Sequence, residues 1–560
     1  MKSFTLTIAP FLALVTAVGR PAGAPRSWAQ SARLLLFAAA ISCSGAEAGP
    51  GGLPAGSGGD GAAAGSGTAG NTGSGLGGSG ATAGSGSSGV SGTASGGASG
   101  MGGAMSGGAG VGGGAGAGSI GVDPSKIVVS AIPANGTIGL EWPRVTGATG
   151  YRLYWSPTPG VTPQTGQAID VPGPSFVHRG LTNGTDYYYV VTARTAAGEG
   201  PPSNQTTAKP AGEWVLEELG SGDFDDIVTG NRVPRIPIEK RVHVLLLAEG
   251  YLSGELGIFH DHAMHNLESP TNDVDRWIRE VFALDPYAKF REGFVIWYLP
   301  RASATHTEGG NSAFGGGSET AAGPLWAALD DAGPDAFPFP PTAGSKNYVA
   351  SFLLFDPARG RAGVSGHASS CRSPTDRALT LGCAFGIGHA HEFTHAFASV
   401  RDEYLEDDST RTEVEDEWSN VNGTNKCEEL PWKHLLFGRG INTTDQLVGA
   451  FGRPQRGYHS ELKCQMNGTH ENGTYWCSPG TSLTLRPARF CNFCRELTAF
   501  RLFYRSDVLQ GSTQAAFASW KSMYRQPFFT RYGFAVPDIV PQTVECGNDP
   551  EKSVYEACVP

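Results

Sequence analysis

The sequence predicts a multidomain protein in which a disordered tether is followed by an all-β sandwich and then by a larger α/β (α+β) domain. Three observations predict this order. Residues 44–122 are dominated by glycine, residues 123–210 carry short alternating runs between turn residues, and residues 211–560 mix strand-like runs with long helical stretches. The net charge of −11 and the pI near 5.7 disfavour nucleic acid as a partner, because polyanions select basic surfaces.

Residues 1–43 are predicted to be an export signal of the lipoprotein type. Apolar runs at residues 4–18 and 34–41 each follow basic residues, and both are too short to span a bilayer. The second run leads into Cys43 through Ala-Ile-Ser, which resembles the bacterial lipobox, whose Cys is lipidated after cleavage. We therefore expect an exported protein, either a lipoprotein of the bacterial cell surface or outer membrane anchored through Cys43, or a secreted protein without the lipid. No transmembrane span is predicted.

Residues 44–122 are predicted to be a disordered linker. Glycine accounts for 34 of its 79 residues, the remainder is mostly Ala, Ser and Thr, and it contains no aromatic residue. Such a composition buries too little apolar surface to offset the entropy lost on ordering. A coil of this length has an r.m.s. span of about 50 Å, so it would hold the following domains clear of a surface.

Residues 123–210 are predicted to form an antiparallel β-sandwich. Alternating runs occur near residues 137–142, 150–156 and 187–194. Trp142 and the run from Leu181 to Tyr187 resemble features of the fibronectin type III module, the second of them its tyrosine corner. The resemblance implies a spacer or a weak adhesion surface.

The last domain, residues 211–560, begins with a strand-like run at 241–247 and continues with a helix-like stretch at 252–282. Further strand-like runs occur at 293–299 and 351–355. Residues 361–371 are a candidate edge strand or loop for a substrate. This mixture predicts an α/β or α+β domain of about 350 residues.

A metal-binding motif lies in this domain. His391 and His395 are four residues apart, so on a helix they share one face, and both imidazoles can bind one Zn²⁺. Glu392 is then within reach of the water that the zinc activates. His389 faces away from this pair, and we interpret it as a structural or supporting residue.

The third metal ligand is harder to assign from the residues alone. A catalytic zinc takes three protein ligands and keeps one position for water. The metzincin spacing would place the third ligand at Arg401, whose guanidinium cannot bind a cation. Asp402 follows directly and can bind one, with Glu403 as the alternative. The glycine at which metzincins turn the chain is replaced by Ala398.

The motif resembles that of the IgA-peptidase-like family of metzincin-type zinc endopeptidases. The matching residues of the motif are His391, Glu392, Phe393, His395, Phe397, Ala398, Asp402, Glu403 and Tyr404. Further family landmarks are matched in order at residues 249–251, 431–434, 464–466 and 490–496. The resemblance implies one catalytic zinc with Asp402 as the third ligand, and it places Met466 in a Met-turn under the metal.

The tyrosine that metzincins carry two residues after the Met is absent, because Gly468 stands there. Tyr458 and Tyr404 are candidates for stabilising the oxyanion or orienting a ligand, with core packing as an equal alternative for each. These motifs predict an exported zinc endopeptidase that hydrolyses extracellular proteins or peptides, with Glu392 as the general base. The alternatives are a catalytically inactive surface adhesion or binding lipoprotein, and a zinc hydrolase acting on something other than peptides.

The sequence contains ten cysteines, and the cysteines of an exported chain usually form disulfides. Cys371 with Cys383 and Cys546 with Cys558 are predicted local pairs. The Cys491-x-x-Cys494 pattern could indicate redox chemistry or a second zinc site. No second C-x-x-C accompanies it, so disulfide bonding remains the favoured interpretation of these cysteines.

Overall fold

A computed structural model provides the structure of the protein. The described residues are 127–230, 235–306, 313–314, 322–331, 333, 335–342, 344–363, 367–372, 380–385, 389–403, 416–437, 448–453, 457–461, 464–466, 489–533 and 554–556. The predicted export signal with Cys43, the linker, Tyr404 and the Cys546–Cys558 pair lie outside these residues. Within them, no helix combines the length and the apolar character needed to cross a bilayer.

The N-terminal part of the described chain is a sandwich of two antiparallel sheets. The strands are β1 (Ser130–Ala134), β2 (Thr137–Glu141), β3 (Ala148–Ser156), β4 (Gln167–Val171), β5 (Ser175–His178), β6 (Tyr187–Thr195), β7 (Gly198–Glu199) and β8 (Thr206–Ala208). One sheet has the order β1-β2-β5, and the other has the order β4-β3-β6-β7 with β8 paired to β6. The predicted all-β sandwich is therefore present.

Aromatic residues form the core of this sandwich. Trp142, directly after β2, is fully buried, and its ring packs edge-on against Tyr151 at 5.3 Å between centroids. Leu153 and Tyr189 are also fully buried, on adjacent strands. The backbone N–H of Thr182 donates to the hydroxyl of Tyr187 at 3.0 Å. This bond is the tyrosine corner that the sequence pattern predicts.

The larger domain is built on a seven-stranded sheet. Its strands are β9 (Val215–Leu219), β10 (Val242–Glu249), β11 (Phe294–Leu299), β12 (Tyr348–Asp356), β13 (Arg361–Ala362), β14 (His367–Arg372) and β15 (Thr380–Phe385). The order is β14-β15-β12-β10-β11-β9, with β13 paired to β12. The inner strands run parallel, and β9 and β14 pair antiparallel at the two edges. A disulfide joins Cys371 to Cys383 across β14 and β15, which confirms that predicted pair.

Helices and a small sheet complete this domain. The α-helices are α1 (Leu256–Phe259), α2 (Asp273–Phe282), α3 (Ala322–Asp330), α4 (His389–Ala398), α5 (Lys433–Phe437), α6 (Asn492–Arg505), α7 (Thr513–Met523) and α8 (Arg525–Tyr532). Short 3₁₀ turns occur at Ile238–Lys240, Ser253–Glu255, His262–Met264 and Arg291–Gly293. The small antiparallel sheet comprises β16 (Val421–Asn422), β17 (Ala450–Arg453), β18 (Gly457–His459) and β19 (Val554–Glu556).

The prediction of one helix-like stretch over 252–282 is wrong. Before α2 the chain forms only the single-turn helix α1 and short 3₁₀ turns. The helix α2 begins after Asn272, whose side chain accepts a hydrogen bond from the backbone N–H of Asp275 at 2.8 Å. Gly254, Gly257 and Pro270 interrupt the segment, and Gly and Pro have the lowest helix propensities. The periodic apolar residues therefore belong to several short elements.

The central strand β10 is buried on both faces, as is usual for a parallel strand. Val244 and Leu246 face a core that contains the helical residue Trp277. Leu245 and Leu247 belong to a second core on the other face of the sheet. Each face is therefore covered by a separate layer of the protein.

The sandwich packs against this second core through β9. Leu216 of β9 shares the core with Ile132 of β1, and a Cβ at Gly139 would lie only 2.4 Å from a methyl of Leu216. The buried Arg241 guanidinium donates to the carboxylate of Glu141 at 2.6 Å across the same boundary. Buried contacts thus fix the sandwich to the larger domain.

Candidate metal centre

The motif helix α4 is held tightly against the sheet. A Cβ at Gly382 of β15 would lie 2.1 Å from the carbonyl oxygen of Ala396, so only glycine permits this approach. Phe393 and Phe397 are fully buried and stack with 5.6 Å between ring centroids. His391 precedes Phe393 by two positions and therefore projects from the other side of the helix, about 200° away.

The C-terminal end of α4 is fixed by α6. Arg505 donates to the carbonyls of Phe397 at 2.7 Å and Ala396 at 3.0 Å, and Arg501 donates to the carbonyl of Ala398 at 3.0 Å. These bonds satisfy carbonyls that the helix end leaves without partners.

The chain turns at Ser399, which has a left-handed φ of 57°. This position is one residue after Ala398, where metzincins carry their turning glycine. The amide of Ser399 still bonds the carbonyl of His395 at 2.9 Å, so the helix ends in an ordered turn. The turn therefore comes one position later than in metzincins. The residue directed towards the two histidines also comes one position later, at Asp402 instead of position 401.

Three side chains converge at this turn. The Oδ1 of Asp402 lies 2.9 Å from Nε2 of His391 and 3.0 Å from Nε2 of His395, and the two Nε2 atoms are 3.1 Å apart. Ligands about 2.0–2.1 Å from a tetrahedral zinc are separated by about 3.3 Å. Two imidazoles and one carboxylate at this spacing are a donor set that could hold a metal ion.

The set is open on one side. The Asp402 side chain is 38% exposed, compared with 10% for His391 and 14% for His395. Arg401 is exposed and takes no part in the cluster. An ion held here would therefore keep access to solvent and to a ligand from outside, as catalytic metal sites require.

Backbone carbonyls orient both imidazoles. The Nδ1 of His391 donates to the carbonyl of Gln465 at 2.9 Å, and the Nδ1 of His395 donates to the carbonyl of Val400 at 2.7 Å. These bonds place the proton on Nδ1 and leave Nε2 as the electron-pair donor. Gln465 and Val400 could not be found from the sequence, because every residue has a carbonyl oxygen and its use leaves no sequence pattern.

Asn420 is a further residue that the motif did not reveal. Its amide is buried, accepts from the backbone N–H of Arg401 at 2.7 Å and donates to the carbonyl of Arg401 at 2.8 Å. It also donates to the carboxylate of Glu403 at 3.1 Å. Asn420 therefore fixes the backbone on both sides of Asp402.

The two acidic residues of the centre differ in their pKa. Burial raises the pKa of Glu392 to about 7, against the lowering effect of His391. Burial also acts to raise the pKa of Asp402, but the neighbouring His391 and His395 outweigh it and hold that pKa below its usual range. Asp402 is therefore ionised at neutral pH, while Glu392 can exchange a proton near pH 7.

The other predicted residues lie around this cluster. Met466 is fully buried, and its carbonyl accepts from the backbone N–H of Glu403 at 2.8 Å. Glu403 is directed away from the two imidazoles, towards the thiol of Cys494 at 3.2 Å. Tyr458 is buried in β18. His389 is buried with Nε2 at 3.7 Å from a carboxylate oxygen of Glu280.

Comparisons with known proteins bear on the sandwich. The family model of the fibronectin type III domain matches residues 122–209. The FN1–FN3 domains of chicken CNTN1 are similar at 23% identity, covering 16% of this chain and 31% of that one, with a TM-score of 0.14. An Fn3-like protein from Clostridium thermocellum is similar at 24% identity, covering 17% and 100% of the two chains, also with a TM-score of 0.14.

The FN5 domain of Drosophila Lar is similar at 25% identity and a TM-score of 0.14, covering 16% of this chain and 97% of that one. No curated protein matches the chain. The family match agrees with the two-sheet arrangement and with the tyrosine corner at Tyr187. Residues 122–209 therefore form a fibronectin type III domain.

Proposed function

We propose that this chain is an exported zinc-dependent endopeptidase that hydrolyses peptide bonds of extracellular proteins. The observation that carries the proposal is the convergence of His391, His395 and Asp402 within 3.1 Å of one another, with Glu392 on the same helix. The resemblance of residues 391–404 to the IgA-peptidase-like metzincins supports the same function.

The donor set favours zinc over calcium or magnesium, because imidazole nitrogen suits zinc whereas the other two ions prefer oxygen. Zinc supplies a Lewis acid for the scissile carbonyl and lowers the pKa of water. The role of His391, His395 and Asp402 is to hold the ion in an open position. Gln465 and Val400 keep the imidazoles in the tautomer that this role requires.

Glu392 is proposed as the general base and then the general acid. It takes the proton from the attacking water and delivers it to the departing amine nitrogen. Glu392 is buried on the same helix as the two histidines, which keeps its carboxyl group next to the position where both transfers would take place. Folding does not require a buried carboxylate at this position beside two histidines, whereas the proposed hydrolysis does.

A strand at the edge of the sheet offers a place for the substrate. Among the described strands, β14 ends the large sheet and pairs with β15, which leads into the motif helix α4. An edge strand can bind an extended peptide through backbone hydrogen bonds. We propose that the substrate lies along β14, which includes part of the predicted edge region 361–371.

The test is cleavage of a mixed, unfolded-protein substrate by the purified chain and by its Glu392→Gln variant. We expect the variant to lose about 10²- to 10⁴-fold in rate, the usual contribution of general acid–base catalysis, while retaining its zinc. The matched control is Glu428→Gln, which removes an exposed carboxylate and should leave the rate unchanged.

Equal cleavage by parent and Glu392→Gln would exclude the proposed mechanism. Zinc in both proteins with cleavage by neither, across a panel of protein substrates, would favour the alternative of a surface binding protein. Cleavage of esters or other non-peptide substrates in place of proteins would favour a different zinc hydrolase.

A further inference from the structure

A second cluster of metal-ligating side chains lies next to the candidate centre. It comprises the thiols of Cys464, Cys491 and Cys494 and the carboxylate of Glu403. Each of these residues is at most 2% exposed, and their four donor atoms all lie within 4.8 Å of one another. We call this set the thiol cluster. It is separate from the imidazole pair, because Glu403 is directed away from it.

We infer that the thiol cluster binds a second zinc ion, which has a structural role. Three thiolates at about 2.3 Å and one carboxylate oxygen at about 2.0–2.2 Å complete the tetrahedral shell that structural zinc requires. Such a shell separates its donor atoms by about 3.4–3.8 Å. The Oε1 of Glu403 lies 3.2 Å from the sulfur of Cys494 and 3.7 Å from that of Cys491, close to this spacing.

A disulfide does not account for the cluster. Any one disulfide would use two of the three sulfurs and leave the third beside a buried carboxylate. The Oε2 of Glu403 is buried and has no hydrogen-bond partner among the described residues, and Nδ1 of His459 lies 3.6 Å from it. A buried carboxylate in this position is costly unless a cation accompanies it or a proton neutralises it.

The local backbone is arranged to receive thiolates. The sulfur of Cys491 caps the N-terminus of α6 and accepts from the N–H of Cys494 at 3.3 Å and from the hydroxyl of Ser460 at 3.4 Å. The N–H of Cys491 in turn donates to the sulfur of Cys464 at 3.2 Å. The hydrogen bonds that the Cys491 sulfur accepts and its position at the positive end of the helix favour its thiolate over its thiol.

The thiol cluster is placed to position the candidate catalytic centre. Glu403 directly follows Asp402, and Cys464 directly precedes Gln465, whose carbonyl orients His391. A zinc bound to Glu403 and Cys464 would therefore fix two segments. One directs Asp402 towards the imidazoles, and the other carries the carbonyl that orients His391. The role of this zinc would be to hold the open site in shape.

Another group of metal-ligating residues at the boundary with the fibronectin module does not support the same inference. Glu217 lies 3.2 Å from the guanidinium of Arg179 and 2.9 Å from His265. Hydrogen bonds to Asp275 and then to Glu217 raise the pKa of His265 to about 9, so this imidazole is protonated at neutral pH. His260 completes the group. Its carboxylates are already balanced by cationic side chains, and we assign no metal to it.

The first test is zinc analysis of a His391→Ala/His395→Ala variant, in which the open site is removed whatever its function. We expect about two zinc ions in the parent chain and about one in this variant. Adding Cys491→Ser and Cys494→Ser should remove the remaining ion. Loss of all zinc in a folded double-histidine variant would overturn the inference.

The second test uses the unaltered chain, so that it does not depend on the folding of any variant. Cobalt replacing zinc should give the intense sulfur-to-cobalt charge-transfer absorption of a thiolate site. Differential alkylation should find the three cysteines protected in the native chain and reactive after unfolding with a chelator, without any reductant. A requirement for reductant would show a disulfide, and reactivity in the native chain would show unligated thiols; either would refute the second zinc.

Discussion

Two neighbouring residues lead to two different kinds of cluster. Asp402 meets two imidazoles, while the next residue, Glu403, meets three thiols. The Asp402 side chain is 38% exposed, whereas that of Glu403 is fully buried. The cluster of His391, His395 and Asp402, which we call the imidazole cluster, offers nitrogen and oxygen donors and is open to solvent. The thiol cluster is closed.

This difference corresponds to the two proposed roles, catalysis at the open cluster and structural support at the thiol cluster. An open shell admits a substrate and can turn over, whereas a closed shell of four ligands stabilises the chain around it. Both clusters share the segment around Asp402 and the segment 464–466, so the closed one is placed to hold the open one in position. A change that affects only one cluster therefore tests the proposed division of roles.

Among the substitutions, Asp402→Ala is expected to cause the largest loss of activity. Removing a direct ligand should cost at least about 100-fold in activity at limiting zinc, since loss of an outer-sphere partner alone costs about 10- to 100-fold. The zinc content should fall by about one ion while the cobalt-thiolate absorption is retained. The control is Asp416→Ala, which removes an exposed carboxylate. If Asp402→Ala retained full activity, Asp402 would not be a ligand.

Asn420→Ala is expected to have an intermediate effect, because Asn420 bonds both the backbone of Arg401 and the carboxylate of Glu403. We expect a loss of about 10- to 100-fold in activity, with weaker zinc binding that excess zinc partly rescues. Titration of activity against zinc measures this positioning role.

The matched control is Asn422→Ala, which removes another buried side-chain amide, two residues after Asn420 in the chain. Its side chain donates to the carbonyl of Glu429 at 3.3 Å instead. Both variants should be destabilised by about 1–3 kcal/mol, as is usual when buried polar partners are lost. Only Asn420→Ala should change the zinc dependence. Equal zinc dependence in the two variants would reduce Asn420 to a purely structural residue.

The smallest effect is expected from Gly382→Ala, which acts on the helix and not on a ligand. The added methyl would meet the backbone carbonyl of Ala396, and overpacking of this kind costs about 1–3 kcal/mol. Displacement of α4 should weaken zinc binding at the imidazole cluster and leave the thiol cluster intact. Chemical denaturation and zinc titration measure the two effects.

Gly323→Ala is the control for that substitution. A Cβ at Gly323 meets no heavy atom within 4 Å, and the residue lies in α3, so the change should be neutral or stabilising by up to about 1 kcal/mol. If Gly382→Ala were equally well tolerated, the close approach of α4 to β15 would not be a constraint on the centre.

The sequence predicted the parts of the fold that local patterns specify. The alternating runs and the corner motif around Tyr187 predicted the fibronectin domain, and the strand-like runs near 241–247 and 293–299 were found within two residues of the observed strands. The stretch 252–282 was misread as one helix, because apolar periodicity does not show where Gly and Pro divide a segment. The packing of the sandwich on β9 also left no signal, since each contact joins distant parts of the chain.

For the site, the residues by themselves determined the donor chemistry. The spacing of His391 and His395 on a helix fixes their shared face, and the acidic pair Asp402 and Glu403 was the available source of a third ligand. Tertiary structure decided which acidic residue meets the imidazoles, through the turn at Ser399 and the bonds of Asn420. It also joined Cys464 to the Cys491-x-x-Cys494 pair, because ligand sets are defined by distances in space and such distances are set only when the chain is packed.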